Sequence, residues 1–283
     1  MSDFPDPDLT LPPLREVIAA HDLAAKKSLG QNFLLDRNIT DKIARTIGDL
    51  STFNVIEIGP GPGGLTRSLL KAGAKTLTAV EFDPRAVAAL GSLVEFSKGR
   101  LKIIQTDALA FDALASVDGP RIIAANLPYN IATPLTIGWL RQIREHPGSI
   151  SMMILMYQKE VALRLGATHE SKEFGRLSVV AQWLCDVKRQ FDLPPSVFVP
   201  PPKITSSVVK FTPKSLPDGA PAFGTMEKLT AAAFGQRRKM LRSTLKQWPG
   251  ILESCGIDGT KRAEDIAVAD FVRLACEIER LGA

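Results

Sequence analysis

Residues 55–64, Val55-Ile56-Glu57-Ile58-Gly59-Pro60-Gly61-Pro62-Gly63-Gly64, decide the fold. The β-branched run ending at Ile58 reads as a buried strand, the glycines as a tight turn, and LTRSLLKAG (65–73) as the helix that follows. Glycine at such a turn lets a ligand approach the backbone, because no Cβ stands in the way. The same kind of turn also serves nicotinamide and flavin cofactors, so it does not by itself choose among them.

Outward from this turn, the runs LTAVEF (77–82), LKIIQTD (101–107), RIIAANLP (121–128) and SMMILMY (151–157) repeat the pattern of a short β-branched segment ending in a polar turn. Helical stretches separate them, which makes βαβ units and a mostly parallel sheet with helices on both faces, an α/β fold of the Rossmann-like kind. GRLSVVAQWL (175–184) reads as a helix, and CDVKRQFDL (185–193) and ITSSVVKF (204–211) as antiparallel strands finishing the sheet. PKSLPDGAPAFG (213–224) has the composition of a linker, and the pattern from Thr225 onward is helical. Upstream, helices are expected over 14–25 and 38–48, with the KKSLGQNFLLD stretch (26–36) between them. The expected division is a leader with its first helix, 1–25, a main domain, 26–212, and a small helical domain, 213–283.

At 45% hydrophobic and 23% charged residues, the 283-residue chain has a globular composition. No apolar run approaches the ~20 residues of a bilayer span. The start MSDFPDPDLTLPPL carries three Asp and no Lys or Arg, unlike a secretory or mitochondrial presequence, so a cytoplasmic protein is expected. Three scattered cysteines and three histidines argue against a disulfide framework or a metal site. A net charge of +5 favours a polyanionic partner only weakly, but its distribution says more. Between Lys228 and Leu252 there are six basic residues and no acidic one. FGQRRKMLRSTLK (234–246) is expected to form one helix with Phe234, Met240, Leu241 and Leu245 inward and Arg237, Arg238, Arg242 and Lys246 outward. With Lys239, that outward face is the candidate phosphate-binding surface.

In a doubly wound sheet, ligands bind beyond the carboxyl ends of the strands. Gly59 and Gly61 form the turn after the first of the core strands. Glu81 ends the next, where a carboxylate accepts from both ribose hydroxyls of a nucleotide-like ligand. Asp107, beside Ala108, ends the third and is placed to accept from an adenine amino group. Both carboxylates also suit the bland task of capping the helices that follow. The fourth strand ends in Asn126-Leu127-Pro128-Tyr129. Adenine N6 is a poor nucleophile because its lone pair is delocalised into the ring. The Asn126 side-chain carbonyl, and a backbone carbonyl made available by the following proline, can accept hydrogen bonds from the amino protons. Tyr129 offers a flat face for an extruded base. The absence of a nearby histidine fits a reaction that needs no general base before methyl transfer.

With KSLGQNFLLD, EIGPGPGGLT, VEFD, TDAL, NLPYNIATP, YQKEVA, GRLSV and PPSVFVPPPKITSSVV in this order, the chain resembles the ribosomal RNA adenine N6,N6-dimethyltransferase family of the KsgA type, from Lys26 to Phe211. The resemblance implies a Rossmann-like methyltransferase fold with a C-terminal helical domain. It implies S-adenosylmethionine, converted to S-adenosylhomocysteine, held by Asn32, Leu34, Gly59, Glu81, Asp107 and Asn126 with Gln31 close by, and no metal. It implies Phe198 as the aromatic that sandwiches the target base against Tyr129. The substrate implied is a pair of adjacent adenosines near the 3′ end of small-subunit RNA, in an assembling subunit, with the protein acting as a monomer away from any membrane. A large-subunit methyltransferase of the antibiotic-resistance type and a non-catalytic assembly factor are the alternatives. The leader, Met1–Pro13, has no counterpart in these motifs and is expected to be disordered.

Overall fold

The computed structural model describes residues 5–25 and 30–282; Lys26, Lys27, Ser28 and Leu29 of the KKSLGQNFLLD stretch, and Met1–Phe4 of the leader, lie outside them. The chain forms two compact units: Met1–Gly138 with Gly148–Lys159 and Gln190–Lys210, and Trp139–Pro147 with Glu160–Arg189 and Phe211–Ala283. The units interleave along the chain, whereas the expected division at 212 followed chain order.

In the first unit the helices α1 (Pro7–Thr10), α2 (Leu14–Ala20), α3 (Arg37–Ile47), α4 (Gly64–Lys71), α5 (Pro84–Ala89), α6 (Gly91–Phe96) and α7 (Ala113–Ser116) alternate with strands. The strands are β1 (Phe33–Leu34), β2 (Asn54–Ile58), β3 (Thr76–Glu81), β4 (Leu101–Gln105), β5 (Arg121–Ala125), β6 (Ile150–Gln158) and β8 (Phe198–Val199). The helix α8 (Tyr129–Glu145) and the strands β7 (Cys185–Leu193) and β9 (Ser206–Pro213) begin or end there. Seven strands form one sheet in the order β4-β3-β2-β5-β6-β9-β7, and β4, β3, β2, β5 and β6 pair in parallel. Ile58 lies opposite both Val80 and Ala125, and Glu81 opposite Gln105. This register brings Gly59, Glu81, Asp107 and Asn126 to one edge.

The core of this unit follows from the 3.6-residue period. Ile43, Ala44 and Ile47 of α3 are buried in one cluster with Leu65, Leu69 and Leu70 of α4 and with Val55 and Leu77 of the sheet. Each large aliphatic side chain so buried contributes about 1.5–3 kcal/mol. Asp36 starts α3 by accepting from Asn38 N at 2.9 Å.

The leader corrects the sequence expectation of disorder from Pro5 onward. Asp6 caps α1 by accepting from Asp8 N. Arg67, 4% exposed, donates to Asp8 at 3.0 Å and to the Pro12 carbonyl at 2.8 Å. Arg37 and Lys71 pair with Asp6. The leader's acids thus neutralise cations on α3 and α4, one of which would otherwise be buried without a counter-charge.

The second unit holds α9 (Lys159–Leu165), whose first residue belongs to the first unit, α10 (Arg176–Leu184), α11 (Phe223–Phe234), α12 (Leu241–Thr244), α13 (Ile251–Ser254) and α14 (Val268–Arg280). Phe234 stacks on Phe271 at 5.6 Å between ring centroids, and Phe174 meets the Phe234 edge at 6.1 Å. The single helix expected over 234–246 is not formed. α11 ends at Phe234, a turn follows, and α12 starts only at Leu241. Leu241 N and Arg242 N donate to the carbonyls of Lys261 and Gly259, so the chain leaves helical register to satisfy them. Leu241 and Leu245 are buried as expected, but Met240 is 39% exposed.

Candidate active site

Beyond the carboxyl ends of β2, β3, β4 and β5 lies a cavity of about 250 Å³. It is lined by Gln31, Asn32, Leu34, Gly59, Gly61, Glu81, Asp107, Ala108, Asn126, Leu127, Pro128 and Tyr129, all expected from sequence. Phe198 is not among the lining residues. Because β8 pairs antiparallel with β1, Phe198 lies opposite Leu34 and is 2% exposed within the core cluster. The side chain expected to sandwich the base is thus buried in the same core cluster as Leu34 of β1.

Two glycines shape the floor. Gly59 has φ +67°, and a Cβ there would project into open space, leaving the backbone accessible to a ligand. At Gly64 a Cβ would stand 2.4 Å from the Leu34 carbonyl oxygen, so only glycine lets β1 close over the turn.

The lid segment, residues 30–34, is fastened from several sides. Asn126 Nδ2 donates to the Asn32 carbonyl at 3.0 Å, which leaves the Asn126 side-chain oxygen as its remaining acceptor. Gln31 Nε2 donates to Asp83 at 3.3 Å. Asp83 is bound by Arg85 at 2.6 Å, and that guanidinium holds the carboxyl down at about 2. Arg85 also donates to the Asp22 carbonyl at 2.7 Å.

Glu81 is buried. One carboxylate oxygen accepts from Phe82 N and Asp83 N, both at 2.8 Å, and the other from Gly61 N at 3.1 Å. Burial pushes its carboxyl up, against these three donors. Asp107 is exposed and accepts from Leu109 N at 2.9 Å. Each carboxylate therefore shapes its own turn while lining the cavity.

Glu57 and Phe82 are among the lining residues that the sequence reading did not single out. Glu57, 2% exposed on β2, has a carboxylate oxygen with no hydrogen-bond partner; burial first, and the neighbouring Glu81 charge, push it up to about 8 against the Thr66 hydroxyl. A buried orphan acceptor beside a cavity fits a donor on a ligand. A carboxylate inside an otherwise apolar strand was the signal that could have found it. Phe82, between Glu81 and Asp83 in sequence, lines the cavity and is 61% exposed. Its place directly after Glu81 was the readable sign.

All five cations expected to meet phosphate, Arg237, Arg238, Lys239, Arg242 and Lys246, are exposed. Arg237 is held by Glu264 at 3.0 Å and by the Phe174 carbonyl at 2.9 Å. The lack of acids within 228–252 had hidden this pairing, because Glu264 arrives from later in the chain.

A family model described as ribosomal RNA adenine dimethylase matches residues 23–280. The protein named ribosomal RNA small subunit methyltransferase A from Rhodospirillum rubrum is 50% identical over 275 residues, 96% of this chain and 94% of that one. Its namesake from Rhodopseudomonas palustris is 52% identical over 273 residues, 95% of this chain and 94% of that one. The crystal structure of a dimethyladenosine transferase from Plasmodium falciparum superposes with a TM-score of 0.75 at 25% identity, covering 87% of this chain and 97% of that one.

Proposed function

The chain belongs to the ribosomal RNA adenine dimethylase family and is a methyltransferase; from that premise we propose that it dimethylates N6 of two adjacent adenosines near the 3′ end of small-subunit ribosomal RNA, using S-adenosylmethionine. The observation that carries this reading is Asn126. Its amide is committed to the Asn32 carbonyl, so its oxygen is presented as an acceptor in the cavity that also holds Glu81, Asp107 and Tyr129.

Glu81 would hold the ribose hydroxyls, Asp107 the adenine amino group, and Gly59 and Gly61 the close backbone approach. Gln31, Asn32 and Leu34 would close over the donor, with Ala108 beside its base. The orphan Glu57 oxygen and the open space at Gly59 fit such a ligand. When bound, the donor supplies a sulfonium methyl group electrophilic enough to need no prior deprotonation of N6.

The target adenine stacks on Tyr129. The Asn126 oxygen and the Leu127 carbonyl, which faces a proline without an N–H, accept from the two N6 protons. This draws lone-pair density out of the ring and stabilises the charge that develops on N6. A proton then leaves to water, and a second cycle adds the second methyl. Arg238, Lys239, Arg242 and Lys246 contact RNA phosphates, an attraction that positions RNA without choosing a base. The substrate is RNA within an assembling small subunit, and the protein acts there as a cytoplasmic monomer. Among the described residues no helix is long and apolar enough to cross a membrane.

Single-turnover methyl transfer to unmodified small-subunit particles tests this reading. Asn126→Ala should slow transfer roughly 100-fold or more with little change in RNA affinity. An unaltered rate would remove Asn126 from the chemistry.

A further inference from the structure

Tyr129 is the first residue of α8, and its hydroxyl lies 2.7 Å from the hydroxyl of Ser206, the first residue of β9. Ser206 is fully buried, whereas the Tyr129 ring is half-buried and lines the cavity. The bond therefore joins a cavity side chain to a buried point of the core. The same helix is anchored once more: the Thr136 hydroxyl donates to the Ala132 carbonyl at 2.7 Å and so must accept from the buried Tyr157 hydroxyl of β6, 2.6 Å away. β9 is itself fixed from the next residue, since Ser207 donates to Asp192 at 2.7 Å and Asp192 pairs with Lys159 at 2.7 Å.

A tyrosine tethered by backbone at one end and by its hydroxyl at the other cannot swing its ring to another χ1 rotamer without breaking the bond. A ring held only at Cα would have to give up that freedom when a base arrives, and the ordering would weaken capture. We propose that Ser206 is a positioning residue for methyl transfer, holding the Tyr129 ring at the place in the cavity where it receives the target adenine. The Tyr129 hydroxyl is then an anchor and takes no part in proton movement. This rests on the reading of Tyr129 as the stacking face.

The test uses full-length protein and unmodified small-subunit particles. Ser206→Ala and Tyr129→Phe should each lower kcat/KM for RNA by about three- to tenfold, the worth of one neutral hydrogen bond. At saturating RNA, kcat should change less, and calorimetric affinity for S-adenosylmethionine should not change. The double variant should be no worse than the worse single, because both substitutions remove the same bond. Additive losses, or wild-type kcat/KM in Ser206→Ala, would overturn the proposal. Tyr129→Phe leaves β9 intact and supplies the same comparison if Ser206→Ala folds poorly. Tyr129→Ala separates this inference from the stacking reading. If Tyr129→Ala is impaired while the two conservative variants are normal, only the anchor falls. Full activity of Tyr129→Ala would overturn stacking and the anchor with it.

Discussion

Replacing Glu81 with glutamine asks how much of donor binding rests on one carboxylate. In the structure its oxygens accept three backbone N–H groups, from Gly61, Phe82 and Asp83. A glutamine that keeps the two 2.8 Å bonds with its carbonyl must turn its amide toward Gly61 N, donor against donor. It also loses the negative charge that would receive two ribose hydroxyls. A hydrogen bond to a charged group is worth about 1.5–3 kcal/mol, so affinity for S-adenosylmethionine should fall roughly 10- to 150-fold. Alanine is the poorer probe, since it strands three donors near the cavity at about 1–3 kcal/mol each and confounds binding with stability. Calorimetric titration, with thermal melts of the unliganded protein as control, measures the effect. The raised pKa of Glu81 adds a pH signature: as pH falls toward the carboxylate range, wild-type affinity should weaken as the side chain takes up its proton. The glutamine variant should lack this dependence. Wild-type affinity in Glu81→Gln would refute the assignment of Glu81 to the ribose.

Gly64→Ala drives a Cβ to within 2.4 Å of the Leu34 carbonyl, and the overpacking should cost about 1–3 kcal/mol, lowering the melting temperature by several degrees; an unchanged melting temperature would show that the lid does not press on the turn. Glu57 has its carboxyl raised to about 8, so the folded protein holds a proton there that the unfolded chain releases near its ordinary value of 4.5. Its contribution to stability is complete below pH 4.5 and is lost as pH rises toward 8, and melts of Glu57→Gln over that range should show a flatter pH dependence and a higher midpoint at pH 8. An unchanged slope would place the charge elsewhere. Replacing Arg238, Lys239 and Lys246 with alanine should weaken RNA binding and reduce the salt-dependence slope by about 0.7–0.9 for each phosphate no longer neutralised, leaving donor affinity intact. An unaltered slope would return these side chains to an ordinary solvated surface.

The parallel sheet and its ligand edge were legible because strand period and turn chemistry agree at each crossing. NVIEIG, LTAVEF, LKIIQTD and RIIAANLP each became a strand, and the residues just beyond them meet around one cavity. What escaped depended on partners distant in sequence. The resemblance implies Phe198 against the target base, whereas the pairing of β8 with β1 leaves it 2% exposed in the core. Arg237 looked unpaired until Glu264 arrived beside it. The apparent helix over 234–246 had acceptable periodicity, yet the carbonyls of Gly259 and Lys261 offered its backbone a competing set of bonds. The acidic leader lacked any apolar period, and its order comes from Arg37, Arg67 and Lys71 on helices that follow it. Glu57 stands out locally as a carboxylate within an apolar strand, but that one of its oxygens lacks a partner shows only in the folded structure.

Nucleoside mass spectrometry of small-subunit particles treated with the purified protein and S-adenosylmethionine tests the central claim most directly. Particles that begin unmodified should gain N6,N6-dimethyladenosine at two adjacent positions near the 3′ end of the RNA, and Asn126→Ala should leave them nearly unmodified over the same period. Methyl groups on another atom or on large-subunit RNA, or none at all with the wild-type protein, would contradict the account.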